Sequence, residues 1–197
     1  MMKVLSFDVG IRNLAYAHVT VDVKESRIVQ ILHWNKIDLH EFGDGGGGGS
    51  VVTSVIDAML KSAPVLSDPS AWDVVLIENQ PSLKNPVMKT VQVAIHAFFE
   101  MVVQTTPLPE DDNPKTHRIL LVNARNKVGS CGGSYSERKR ESIKRCLSYV
   151  DGMAEGASFL ASTKKIDDMC DAFMQAVWFV EHHKIAAATR KKVLAST

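Results

Sequence analysis

The sequence predicts an α/β chain with elements in the order βββ-α-β-α-β-α-α. Three observations carry that reading. Residues 3–9, 14–21 and 27–37 are apolar, β-tolerant runs separated by short polar turns. Residues 73–77 (DVVLI) and 117–122 (HRILLV) are two further strand-like runs, set apart by longer segments. Residues 51–61, 87–104, 136–150 and 167–181 read as helices, the first two with apolar side chains at 3- and 4-residue spacing.

Each element follows from its residues. The first strand ends at the turn GIRN (10–13), and the third, RIVQILHWNKI, completes an antiparallel meander. Residues 43–50 (GDGGGGGS) form a flexible loop without core-forming content. No P-loop Lys follows that run, so phosphate binding there is not expected. Val52, Val55, Ile56, Met59 and Leu60 define the first helix. The fourth strand stops at Pro81. Val87, Val91, Ala94, Ile95, Phe98, Phe99 and Val102 mark the longest apolar helix, and an acidic, proline-containing loop (107–114) follows it. Residues 136–150 are basic, and residues 184–197 read as a basic tail appended to a single domain spanning 1–183.

Composition sets limits on function. The 197 residues are 45% hydrophobic, and 23 Lys+Arg nearly cancel 22 Asp+Glu, for a net charge of +1. A strongly basic or acidic protein is excluded, whereas a local nucleic-acid-binding patch is not. Cys131, Cys146 and Cys170 match no CxxC spacing and suggest a reducing compartment. No apolar run reaches the roughly 18 residues of a membrane span, so no membrane association is expected. Asp8 comes too early for a signal peptide.

Three acidic positions stand out. Asp8 lies inside the first strand, between Phe7 and Val9, where an unpaired acid costs several kcal/mol. Capping of the Gly10 turn is the simpler alternative. Glu78 ends the run Val74-Val75-Leu76-Ile77, where α/β sheets place ligand-binding groups; an exposed loop acid is the alternative. Asp167, Asp168 and Asp171 open the last helix. Acids there suit the helix dipole, but three in five residues exceed what a cap requires. Asp168 and Asp171, or Asp167 and Asp171, share a helix face. Two strand acids and a helix-borne pair can converge into an all-oxygen site suited to Mg²⁺ or Mn²⁺ rather than zinc.

These segments carry a resemblance. SFDVGIRNLA (6–15), IENQP (77–81) and KKIDDMCD (164–171), with SLKNPVM (82–88) between them, occur in the order seen in the poxvirus and mitochondrial branch of RuvC-like Holliday junction resolvases. That branch belongs to the ribonuclease H-like superfamily. The resemblance implies a ribonuclease H-like mixed five-stranded sheet flanked by helices. It also implies that Asp8, Glu78, Asp168 and Asp171 are catalytic metal ligands, with Asp167 as an ambiguous fifth acid and two Mg²⁺ or Mn²⁺ ions per site. The implied activity is paired nicking of four-way DNA junctions by a homodimer, in viral genome processing or recombination. The expected location is the host cytoplasm for a viral protein, or the mitochondrion.

The remaining charges fit that reading. Arg125, Lys127, Arg138, Lys139, Arg140 and Lys144 lie in a basic stretch and are expected to hold DNA phosphates, against the alternative of a solvated helix face. Lys164 and Lys165 adjoin the acids and can meet the scissile phosphate or offset carboxylate repulsion. The histidines are assigned no chemistry: His96 is expected to pack, and His182 and His183 to face a helix end. Trp34, Trp72 and Trp178 are expected as core or half-buried anchors. The helix at 87–104 is apolar on too many sides for a surface helix, so one side is expected against the sheet and another against a partner subunit. Competing readings are an actin-like or sugar-kinase ATPase, suggested by Asp8-x-Gly10 but lacking a second phosphate loop, a non-catalytic nucleic-acid-binding module, and a nuclease acting on RNA–DNA hybrids or other branched DNA.

Overall fold

The computed structural model describes residues 1–43, 50–83, 85–106, 118–124, 134–153, 156–161 and 165–194. At Tyr135, Arg138, Ala157, Leu160, Ala161 and residues 183–194 only the backbone is described. Five strands form one sheet: β1 (Met2–Asp8), β2 (Leu14–Asp22), β3 (Arg27–Ile37), β4 (Val74–Asn79) and β5 (Arg118–Asn123). The helices are α1 (Val51–Lys61), α2 (Pro64–Ser67), α3 (Pro86–Thr105), α4 (Tyr135–Val150), α5 (Gly156–Ala161) and α6 (Asp167–Leu194).

The expected meander is present. β1 pairs antiparallel with β2, and β2 with β3. Its opening turn depends on Gly10, where an added Cβ would lie 2.5 Å from the Asn13 carbonyl oxygen. The chain then crosses over through α1 and lays β4 parallel beside β1, and β5 parallel beside β4. The order is therefore β3-β2-β1-β4-β5, a mixed sheet as expected.

Strand alternation divides the core between the two sheet faces. Leu5, Phe7, Val75 and Ile77 pack with Val55, Met59, Val91, Ile95 and Phe99 of α1 and α3. Val4, Ala15, Ala17 and Leu76 pack on the other face with Cys146 of α4 and Met169, Phe173 and Val177 of α6. Trp72 meets Phe99 edge-on at 5.3 Å, and Trp34 lies 5.2 Å from Phe173, so both are core anchors.

Several boundaries differ from expectation. α6 does not stop near Glu181; its backbone stays helical to Leu194 and takes in most of the segment read as a tail. The Ala-rich stretch IAAATRKK contains no breaker, and alanine, lysine and arginine are good helix formers. α2 and α5 were not expected, being too short for a periodic signal. α3 is long and apolar enough to meet a membrane-span criterion of length and composition, contrary to the sequence reading. Val91, Ile95, Phe98, Phe99 and Val102 are nevertheless buried in the sheet-facing core. Residues 44–49 of the glycine loop and the acidic loop at 107–114 lie outside the described residues.

Candidate active site

Asp8 and Glu78 arise from one accident of register. β1 and β4 run parallel with Phe7 opposite Ile77, so the next residues, Asp8 and Glu78, stand side by side at the carboxyl ends of neighbouring strands. Phe7 and Ile77 point toward α1 and α3. Alternation turns Asp8 and Glu78 to the opposite face, which α6 covers. Ser6, on that same face, bonds to Gln175 of α6.

Glu78 is 8% exposed and firmly held. Its Oε2 accepts from the Gln80 side-chain amide at 2.7 Å and from the Val9 N–H at 3.4 Å. Gln80 is itself anchored, because its backbone N–H donates to Gln92 Oε1 of α3 at 2.9 Å. Lys89 Nζ donates to the same oxygen and to Asn79 Oδ1. The polar Gln92, 2% exposed inside an apolar helix, thereby fixes the turn after β4.

The α6 acids enter from above the sheet. Trp34 Nε1 of β3 donates to the Met169 carbonyl at 2.8 Å, and Lys36 Nζ donates to the Lys165 carbonyl at 3.1 Å, which seats the first turn. Asp168 lies 3.5 Å from Lys165 Nζ. Asp171 Oδ1 accepts from Ser142 Oγ of α4 at 2.7 Å. Asp167 is ion-paired with Lys139 of α4, and Lys165 lies 3.9 Å away. Burial pushes the Asp167 carboxyl up, but Lys139, helped by Lys165, outweighs it and holds the group below the usual carboxylate range.

Glu78, Asp167, Asp168 and Asp171 thus each have their own partners. Among the described residues, no three His, Cys, Asp or Glu side chains are grouped closely enough to hold a metal ion as they stand. Gathered acids repel one another when no cation lies between them. Among the described residues, two observations fit a cation: the donor set is entirely oxygen, and Asp167 Oδ1 and Asp168 Oδ2 are buried without a hydrogen bond, the latter 3.5 Å from the Lys165 ammonium.

The basic helix α4 divides into two faces. Its N-terminus carries a capping box, Ser134 with Glu137. Ser142, Cys146 and Val150 form its buried stripe, and Lys139 continues that stripe toward Asp167. Lys139 is therefore turned inward, contrary to a purely DNA-facing role. Arg140 and Lys144 are exposed. Arg125, Lys127 and Lys164 lie outside the described residues, as does the side chain of Arg138.

Other expectations need adjusting. His96 is not packed away; it is half-exposed and 3.8 Å from Glu100. His182 does not face a helix end, because α6 continues; it bonds the Trp178 carbonyl and stacks on the Trp178 ring at 4.7 Å. Phe98 and Phe99 are core residues, 5.4 Å apart. The sequence assigns no role to Ser142, Gln92 or Gln175, and carries Gln80 only as part of the segment IENQP. The signal that could have found them was a polar residue inside an apolar helical stripe, which Gln92 and Gln175 both show.

Comparison with known proteins agrees with this architecture. The fowlpox virus resolvase, solved with its substrate Holliday junction DNA, superposes with a TM-score of 0.62 at 24% identity, covering 92% of this chain and 98% of that one. Thermus thermophilus RuvC in complex with a Holliday junction gives 0.61 at 13% identity, covering 94% and 97%. The yeast mitochondrial Holliday junction resolvase gives 0.57 at 16% identity, covering 94% and 85%. At these identities the likeness establishes a RuvC-type, ribonuclease H-like fold. An uncharacterised Acanthamoeba polyphaga mimivirus protein is 25% identical over 118 residues, which are 54% of this chain and 28% of that protein. Residues 2–183, nearly the whole chain, match the model of the poxvirus A22 protein family. The chain belongs to the poxvirus A22 protein family.

Proposed function

We propose that this chain is a metal-dependent endonuclease that resolves four-way DNA junctions by paired nicks during processing or recombination of a viral genome. The observation that carries the reading is the register of β1 on β4. It sets Asp8 beside Glu78 on the face covered by α6, the helix whose first two turns carry Asp168 and Asp171. Poxvirus A22 family membership and the likeness to resolvases solved with junction DNA support the substrate.

Asp8, Glu78, Asp168 and Asp171 would hold two Mg²⁺ or Mn²⁺ ions, with Asp167 tied instead to Lys139. Bound there, such ions activate water and stabilise the leaving oxygen of a phosphodiester. The chain's own residues supply the rest. Gln80 and the Val9 N–H orient Glu78, Ser142 orients Asp171, and Lys165 offsets the negative charge around Asp168. Arg140 and Lys144 offer exposed cations to DNA phosphates.

A four-way junction has near two-fold symmetry, which a homodimer with two sites matches. The exposed apolar residues Val87, Val93 and Met101 of α3 favour that helix as the dimer face. Sedimentation of a monomer that still makes paired nicks would reject this arrangement. A viral source would place the protein in the host cytoplasm.

The deciding experiment incubates the protein and Mg²⁺ with matched linear duplex, RNA–DNA hybrid and four-way-junction substrates. Symmetric cleavage of the junction, with the duplex left intact, is expected. Preferential cutting of the hybrid would assign a different ribonuclease H-like activity.

A further inference from the structure

We infer that Gln175 is a positioning residue, which sets the Asp8 end of β1 against the turn of α6 that carries Asp171. Gln175 is fully buried in the third turn of α6. Its Nε2 donates to the Phe7 carbonyl and to Ser6 Oγ, both at 3.2 Å. The orientation of the amide is forced, because the Phe7 carbonyl can only accept. That carbonyl belongs to the peptide group leading into Asp8. On the helix side, Asp171 lies four residues before Gln175, one turn away on the same face. A single side chain therefore ties the backbone of one acid to the helical turn of another.

Packing alone does not explain this residue. Among the described residues Gln175 Oε1 is buried with no hydrogen-bond partner, and an unpaired buried carbonyl opposes folding. An unbranched apolar side chain of similar length would fill the space without that cost. What it would lose is the pair of N–H bonds onto β1. Mg²⁺ demands near-ideal octahedral geometry, so a small drift of Asp8 relative to Asp171 is felt as lost affinity. This inference rests on the proposed reading of those two acids as metal ligands.

The test is Gln175→Met, which keeps length and removes the donors. Four quantities are measured: Mn²⁺ binding by electron paramagnetic resonance, the Mn²⁺ concentration for half-maximal junction cleavage, junction affinity without added metal, and the thermal midpoint. The half-saturating Mn²⁺ concentration should rise about 10- to 100-fold, with folding and junction affinity kept. A folded variant with wild-type half-saturation overturns the inference while leaving the proposed activity intact. Should Gln175→Met fail to fold, Ser6→Ala decides, because it removes one of the two acceptors at little steric cost. An increase of about 5-fold is expected there, and no change overturns the inference. A wild-type protein that takes up no Mn²⁺ overturns both the metal-ligand reading and this inference, a result distinct from either variant outcome.

Discussion

Lys139 of α4 is ion-paired with Asp167 at the first turn of α6. The pair joins two helices that also meet through Cys146, Cys170, the Ser142–Asp171 bond and the Tyr149–Glu181 bond. Among the described residues, Lys139→Met leaves Asp167 the more distant Lys165 as its cation, and should cost about 1–3 kcal/mol in urea unfolding. The pH dependence has a definite sign. Asp167 is depressed when folded, so its contribution is present above its unfolded pKa and is lost as pH falls through the folded one. Wild type should therefore lose more stability than Lys139→Met on acidification below the usual carboxylate range. Equal slopes would show that the pair is not coupled to folding.

Asp8→Asn and Glu78→Gln are expected to lower junction cleavage in Mg²⁺ by roughly a hundredfold or more, because each removes a charged oxygen donor from the proposed metal site. Junction affinity should persist, since the proposed phosphate contacts are made by cations elsewhere. Gel-shift and single-turnover cleavage assays check both halves. Wild-type cutting by either variant would remove that acid from the site.

Arg140 and Lys144 face outward on α4, whereas Lys139 faces inward. The three should therefore separate in a salt titration followed by fluorescence anisotropy. Arg140→Ala/Lys144→Ala should weaken junction binding and reduce the salt slope by about 1 for each phosphate that is no longer neutralised. Lys139→Met should leave the slope near wild type. An unchanged slope in the double variant would make this helix face merely solvated.

His18 gives a second pH signature. Its ring is 3% exposed, and its Nε2 bonds the Ala71 carbonyl at 2.9 Å. Burial lowers its pKa from 6.5 to about 4, and the Ala71 carbonyl opposes the shift only in part. The unfolded chain then binds a proton that the folded chain refuses. Stability should fall as pH drops from 6.5 toward about 4, by at most about 3 kcal/mol. His18→Gln should flatten that interval in thermal melts; a wild-type slope in the variant would place the acid sensitivity elsewhere.

Much of this molecule is local and therefore readable along the chain. β3 and α1 carry their boundaries in their own residues: apolar spacing, turn residues and the Ser50 cap. α3 begins where Asn85 caps and Pro86 fits the first turn. Asp8 and Glu78 were legible because an acid in an apolar strand must be explained by a partner or a ligand. The end of α6 is not legible in the sequence, because positive charge suggests a tail, whereas helix propensity depends on the backbone and tolerates charge.

Tertiary structure decided the relationships. No local signal says that β4 inserts beside β1, since strand pairing depends on the crossover and on burying both sheet faces. Only that pairing sets Asp8 next to Glu78. Likewise, the sequence shows Lys139, Arg140 and Lys144 as equal charges. The packing of Cys146 and Val150 against the core turns one of them toward Asp167 and leaves the other two facing solvent. Side-chain identity is written residue by residue, but which charge meets which is settled when apolar surfaces fix the rotation of each helix.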